Sequence, residues 1–231
     1  MSVASMETGQ DQLMLNLPLL TVDKPYHILC LGAHCDDIEI GCGGTILSLI
    51  NRYSNLSITW IVFTSSEKRK QEATLGAQKF TKGADNLNLR IYGLRDGFLP
   101  YSGLEVKEIF EEVKNEIDTP DLIFTHYRND LHQDHRKINE LTWNTFRNHL
   151  ILEYEIPKWD GDLGVPNAYW SLSKDICEQK IRLLQEVYNS QLNKTWFTDD
   201  LFWSLMRLRG MECHSDSRFA EAFYTRKLLL S

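Results

Sequence analysis

Four apolar runs, each the length of a buried strand and each followed by a stretch with helical periodicity, leave this chain few folds to choose from. The runs are "YHILCLG" from Tyr26, "LSITWIVFT" from Leu56, "LNLRIYGL" from Leu87 and "DLIFTH" from Asp121. Between them stand "GGTILSLINR", read as a short helix, and the charged helical stretch "SEKRKQEATLGAQKF". A turn with Asp96, Gly97 and Pro100 leads into a helix whose Val106, Ile109, Phe110, Val113 and Ile117 recur at helical spacing, and Pro120 closes it. Strands alternating with helices imply βαβ units, whose right-handed crossovers build a parallel sheet covered on both faces. The expectation is a three-layer α/β/α fold with a mostly parallel central sheet.

Beyond Leu131 the pattern predicts a helix running to about His149, then strands at "LILEYEI" and "AYWSLS". Cys177, Ile181, Leu184 and Tyr188 mark one stripe of a further helix. The segment 157–167 between the strands is the most loop-like part of the chain, an expected substrate rim. With 231 residues, 42% of them hydrophobic, the chain can bury a full core as one domain over 25–231, preceded by an N-terminal arm, 1–24, whose leucines are expected to dock on a neighbouring surface.

The formal charge of −7 gives no footprint for a phosphate backbone and argues against nucleic acid as a partner. Five scattered cysteines without a CxxC pair indicate neither a disulfide framework nor a structural cysteine site. The first basic residue is Lys24, unlike a signal peptide, and no apolar run approaches the length of a membrane span. A soluble, cytoplasmic protein is expected, with a homo-oligomer an admissible assembly.

The chemistry lies in two short segments. In a doubly wound sheet of order 3-2-1-4, the first and fourth strands are neighbours whose connections leave on opposite faces, and ligands collect in the crevice beyond their carboxyl ends. The turn after the first strand is "AHCDD", and the segment after the fourth is "THYRNDLHQDHR". His34, Asp36 and Asp37 should therefore face His126, His132, Asp134 and His135. Imidazole and carboxylate together suit a borderline cation such as Zn²⁺, and catalytic zinc sites keep three protein ligands and one open position. His34, Asp37 and His135 make that set, around a water acidified by the ion. Asp36 is the candidate general base. His132 is the candidate for stabilising an oxyanion or protonating a leaving amine, with Asp134 or another carboxylate orienting it.

The paired segments resemble the LmbE/PIG-L family of zinc-dependent N-deacetylases, whose hallmarks are an AHPDD-type turn and an HPDH-type segment, here Ala33 to Asp37 and His132 to His135. The likeness extends to Gly41, Gly43 and Gly44, to "RKQE" (Arg69 to Glu72), to Asp96 and Gly97, to "YNSQ" from Tyr188 and to "FAEAF" near the carboxyl end. It implies a Rossmann-like (LmbE-like) fold. By the same likeness the metal ligands are His34, Asp37 and His135, the base Asp36, the oxyanion or acid histidine His132, and its supporting carboxylate Asp134. It also suggests Arg69 and Asp96 as substrate contacts, Zn²⁺ as cofactor with Fe²⁺ or Co²⁺ as acceptable substitutes, and an N-acetylated amino sugar or glycoconjugate as the small-molecule substrate. Cys35 and Gln133 stand where the family usually has proline, so both loops lose a rigid φ.

Taken singly, these residues have plainer readings. A lone loop histidine is usually a hydrogen-bonded surface residue, an Asp pair is usually solvated or a helix cap, and Arg69 with Glu72 has the spacing of a surface ion pair. His126 is the best placed of the remaining histidines to support a ligand. "GCGGT" lacks the GxGxxG spacing of a dinucleotide site. The aromatics at Trp159, Trp170, Trp196, Phe197 and Trp203 are read as packing before a sugar platform. The rival functions are a metal-dependent phosphoesterase with the same ligands and a non-catalytic carbohydrate-binding protein on the same fold.

Overall fold

The structure, a computed structural model, describes Leu20 and residues 24–229. The expected arm therefore lies outside the described residues except at its end. There Leu20 is buried, and its carbonyl accepts a hydrogen bond from the Tyr53 hydroxyl at 3.2 Å.

The four apolar runs are the strands β1 (Tyr26–Gly32), β2 (Leu56–Thr64), β3 (Asn86–Leu94) and β4 (Leu122–His126). They are joined by the helices α1 (Asp37–Arg52), α2 (Glu67–Phe80) and α3 (Gly103–Glu116). After β4 come α4 (Gln133–Thr145), β5 (Leu150–Tyr154), β6 (Ala168–Ser171), α5 (Lys174–Val187), α6 (Asp199–Glu212) and β7 (Ala220–Tyr224). The seven-stranded sheet has the order β3-β2-β1-β4-β5-β7-β6. Its first five members pair in parallel, while β7 runs antiparallel to both β5 and β6. The expected 3-2-1-4 order and mostly parallel sheet are what the chain adopts.

Period-two alternation sorts the strands' side chains into two cores. Ile28, Cys30, Ile58, Trp60, Leu122 and Phe124 join the core beneath α1, α2, α5 and α6. Leu29, Leu31, Ile61, Phe63 and Ile123 join the one beneath α3 and α4. Helices before and after the fourth strand thus cover the opposite face from those flanking the second, which makes β1/β4 the switch point. Among the described residues no helix is long and apolar enough to cross a membrane.

Two expected boundaries move. The helix anticipated from Gly43 begins at Asp37, because the Asp pair occupies the amino-terminal turn, where carboxylates are favoured. The helix anticipated to run to His149 stops at Thr145, since Phe146 turns its side chain into the core beside α3 and closes the last turn through its N–H to Thr142. Segment 157–167 is irregular throughout, as expected of a rim loop.

The helix α1 packs so closely on the sheet that a Cβ at Gly41 would overlap the ring of Tyr154. That ring cannot yield, because its hydroxyl donates to the Leu31 carbonyl at 2.7 Å and the side chain is fully buried. Gly41→Ala should lower stability by about 1–3 kcal/mol or more through overpacking. Its denaturant midpoint will show the loss, and an unchanged midpoint would mean that the helix can slide outward freely.

Candidate metal and catalytic site

The turn after β1 is pinned on both sides. Ala33 donates its N–H to His126 Nε2 at 2.9 Å, and the Ala33 carbonyl accepts from both the N–H and the hydroxyl of Thr64, at 2.9 and 2.8 Å. His34 N–H then donates to Asp37 Oδ2 at 2.6 Å, folding the turn back on the first turn of α1. From the other side, Asp130 Oδ1 accepts the His132 N–H at 2.7 Å, and His132 Nδ1 accepts the Asp134 N–H at 3.2 Å, so His132 caps α4. His135 follows inside its first turn.

These two turns bring together donors 101 positions apart. His34 Nδ1 lies 3.1 Å from His135 Nε2 and 3.2 Å from Asp37 Oδ2, and Asp37 Oδ1 lies 3.5 Å from His135 Nε2. Ligands about 2.0–2.1 Å from a tetrahedral ion stand roughly 3.3 Å from one another, which is the scale of these separations, although Asp37 meets His34 through Oδ2 and His135 through Oδ1. The donor groups able to hold an ion here also overlap: His34 and His135 join His132 in one, Asp37 and His135 join His126 in another, and His34 joins Asp96 and Asp134 in a third. Electrostatics point the same way. Burial is the largest influence and works against charge on His34 and His135, yet the surrounding carboxylates together raise both imidazoles, Asp37 first, with Asp134 and Asp96 adding to it at His34 and Asp130 at His135. The carboxylates around this centre favour a positive charge there.

His135 is oriented from behind. Its Nδ1 stands 2.8 Å from Asp130 Oδ2, which directs Nε2 towards the centre. Despite burial, that hydrogen bond and the His135 charge hold the Asp130 carboxyl well below the usual range. Lys158, from the rim loop, sits 2.9 Å from the same oxygen. His126 is stacked on His135 with centroids 3.9 Å apart. Burial, reinforced by His135, pushes His126 down to about 4. It is therefore neutral at pH 7, and the Ala33 N–H engages the Nε2 lone pair that would otherwise be free to ligate.

Asp36 meets Arg69 through Oδ1 at 2.8 Å, while its buried Oδ2 has no hydrogen-bond partner. Burial pushes its carboxyl upward, and Arg69 opposes that shift. Arg69 is itself held by Glu72 at 2.8 Å and donates to Ser190 Oγ at 3.1 Å, so the ion pair with Glu72 exists but is only part of its bonding. Ser190 in turn donates its N–H and hydroxyl to Glu72. His132 faces His34 and His135 at centroid distances of 4.7 and 4.6 Å, and burial followed by the charges of His135 and His34 lowers its pKa. With Nδ1 accepting from the backbone, the neutral ring carries its proton on Nε2.

Asp134 accepts from the N–H groups of Gly97 at 2.7 Å and Leu99 at 3.0 Å, and its Oδ2 lies 3.3 Å from His34 Nε2. Its carboxylate thus braces His34 and the loop after β3; towards His132 it offers its backbone N–H. Asp96, exposed on that loop, lies 3.0 Å from His34 Nε2. Of the two residues that replace proline, Gln133 donates to the Gly97 carbonyl, and the Cys35 thiol donates to the Thr64 carbonyl at 3.4 Å. Burial pushes that thiol up to about 12, so it stays protonated.

Asp130 and Lys158 carried no role in the sequence reading, and Ser190 stood only as part of the "YNSQ" likeness. Asp130 had a local signal, an aspartate two residues before a histidine that caps a helix. Lys158 had none beyond its place at the start of the rim loop. Together these groups line or support a cleft of about 600 Å³ at the carboxyl ends of β1 and β4.

An α/β protein with a histidine and carboxylate centre at its switch point is the class that this geometry defines. The family model described as PIG-L, GlcNAc-PI de-N-acetylase, matches residues 29–146, just over half of the chain, and the chain belongs to that family. Solved structures share the fold. The N,N'-diacetylchitobiose deacetylase from Pyrococcus horikoshii is 21% identical with a TM-score of 0.66, over 87% of this chain and 83% of that one. The zinc-inhibited form of teicoplanin deacetylase Orf2 is 14% identical with a TM-score of 0.66, over 86% and 97%. GalB, the 4-carboxy-2-hydroxymuconate hydratase from Pseudomonas putida, is 11% identical with a TM-score of 0.67, over 89% and 98%.

Proposed function

We propose that this protein is a metal-dependent hydrolase that removes an acetyl or related acyl group from the nitrogen of an amino sugar or its conjugate. The observation that carries this reading is the convergence of His34, Asp37 and His135 to within 3.1–3.5 Å of one another, beside a carboxylate oxygen with no partner. Family membership and the two deacetylases among the similar structures support it.

His34, Asp37 and His135 are the ligands of this reading, and Zn²⁺ is the ion that their mixed nitrogen and oxygen set suits, with Fe²⁺ or Co²⁺ able to take the same donors. Such an ion, when bound, polarises an amide carbonyl and acidifies water near neutral pH. Asp36 takes the proton of the attacking water through its free oxygen, while Arg69 fixes the other oxygen and keeps the carboxylate in place. His132 directs its Nε2–H into the cleft, where it stabilises the oxygen that gains negative charge or passes a proton to the departing nitrogen. Asp134 keeps His34 and the Gly97 to Leu99 backbone in register. Asp96 is open to sugar hydroxyls, whereas Arg69, already engaged by Asp36 and Glu72, acts on the substrate mainly through Asp36. Five buried cysteines with free thiols agree with a reducing compartment such as the cytoplasm.

The test is to incubate the zinc-loaded protein with N-acetyl sugars, their glycosides and matching phosphate esters, and to measure acetate, free amine and phosphate. Acetate and amine in equal amounts are expected. Because a hydratase shares this fold, acetate must be read directly. Phosphate release without acetate, or no turnover of any N-acyl sugar, would overturn the proposal.

The buried Asp130 gives a separate prediction. Asp130→Ala should weaken metal binding about 10–100-fold by freeing the His135 ring, as competition with a chelator will report. Wild-type affinity in this variant would mean that packing against His126 alone orients His135.

A further inference from the structure

The cleft extends well past the histidine and carboxylate centre. At about 600 Å³ it falls among sites of ~300–1,000 Å³ that enclose ligands of drug size. Trp159, on the rim loop, lines it while remaining 72% exposed. Its indole meets Trp196 edge to face, with centroids 6.2 Å apart at 83°. Trp196 is braced by buried Phe197 at 5.6 Å, which packs in turn on Phe202 and Tyr188 at 5.2 and 6.3 Å. One indole is therefore anchored to the core, and the other stands in the cleft with most of its surface bare.

Both loops that carry this corner are tied to the catalytic centre. Lys158, next to Trp159, pairs with Asp130, which holds His135. Ser190 bonds Glu72 and accepts from Gln191, and Glu72 pairs with Arg69, which holds Asp36. Two chains of polar contacts, one on each side, thus fix the aromatic corner relative to the reacting groups.

We propose that Trp159 and Trp196 form a subsite for a second ring of the substrate, a pyranose or aryl group attached to the N-acyl amino sugar, which lays its apolar face on the Trp159 indole. The inference rests on the deacetylase reading for the identity of the first ring. Indole faces attract flat apolar ring surfaces and lose little conformational entropy in doing so. Lys194, exposed and in no ion pair among the described residues, and Asp160 line the same end of the cleft and offer hydrogen bonds to hydroxyls at the ring's edge.

The test compares Trp159→Ala and Trp159→Phe with the wild type on three probes: N,N'-diacetylchitobiose, phenyl N-acetyl-β-glucosaminide and free N-acetylglucosamine. Acetate release gives kcat/KM for the zinc-loaded proteins, and tryptophan fluorescence titration of metal-free protein gives affinity without turnover. For at least one two-ring probe, Trp159→Ala should lower kcat/KM and affinity about tenfold, mainly through KM, with Trp159→Phe close to wild type and free N-acetylglucosamine unaffected. A loss on the disaccharide identifies a sugar as the second ring; a loss confined to the phenyl glycoside identifies an aryl group. Equal losses on all three probes, or none on any, would overturn the subsite. Acetate release insensitive to Trp159 would leave the deacetylase reading standing without the subsite. Binding that depends on Trp159 without acetate release would keep the subsite and discard the deacetylase reading.

Discussion

Replacing His135 with alanine should remove tight metal binding and lower kcat/KM by at least about a thousandfold. His135 supplies one of three donors that meet within 3.1–3.5 Å, and the two neighbouring imidazoles are each already engaged at one ring nitrogen. The stacked His126 is held by the Ala33 N–H, and His132 directs Nδ1 to the Asp134 N–H. Losing the carbonyl polarisation and the acidified water removes several kcal/mol of transition-state stabilisation; about 4 kcal/mol is three powers of ten in rate. The measurement is metal content after dialysis together with acetate release. A variant that retained one equivalent of metal and full activity would place the centre elsewhere.

The second large effect is expected at Asp36. Asp36→Asn keeps an oxygen that can accept from Arg69, so the 2.8 Å contact survives while the basic oxygen is lost. With metal content unchanged, kcat should fall about 10²–10⁴-fold, the usual contribution of a positioned general base. Oδ2 has no hydrogen-bond partner in the protein, which leaves its lone pairs available for a proton. Wild-type turnover with metal in place would remove Asp36 from the chemistry.

The strands and helices up to β4 were readable because short-range periodicity and strand-length apolar runs identify them without reference to distant parts of the chain. The meeting of His34 and Asp37 with His135 followed from one topological rule, that ligands gather where the winding of the sheet reverses. Where reading failed, buried charge was the cause. The pattern of α6 is interrupted by Arg209, which is buried because Glu155 and Glu212 neutralise it. In β7, "AEAFY" carries a buried Glu221, matched by Lys180 and by the N–H groups of Gly44 and Thr45. A single sequence gives no sign that such charges have partners far along the chain. The same limit hid the Arg69 contact with Asp36, which depends on how two neighbouring helices approach each other.

The adjacency of β1 and β4 bears on how the protein acquires its centre during folding. Neither His34 nor His135 has its partner donor until strands nearly a hundred residues apart lie side by side, a long-range closure that is slow relative to local structure. A chain in which β1 is paired with β2, and β2 with β3, but β4 is still undocked carries an incomplete donor set. An ion held by these donors would therefore favour the finished sheet over its precursors, and the free energy of its capture would be added to the docking of β4.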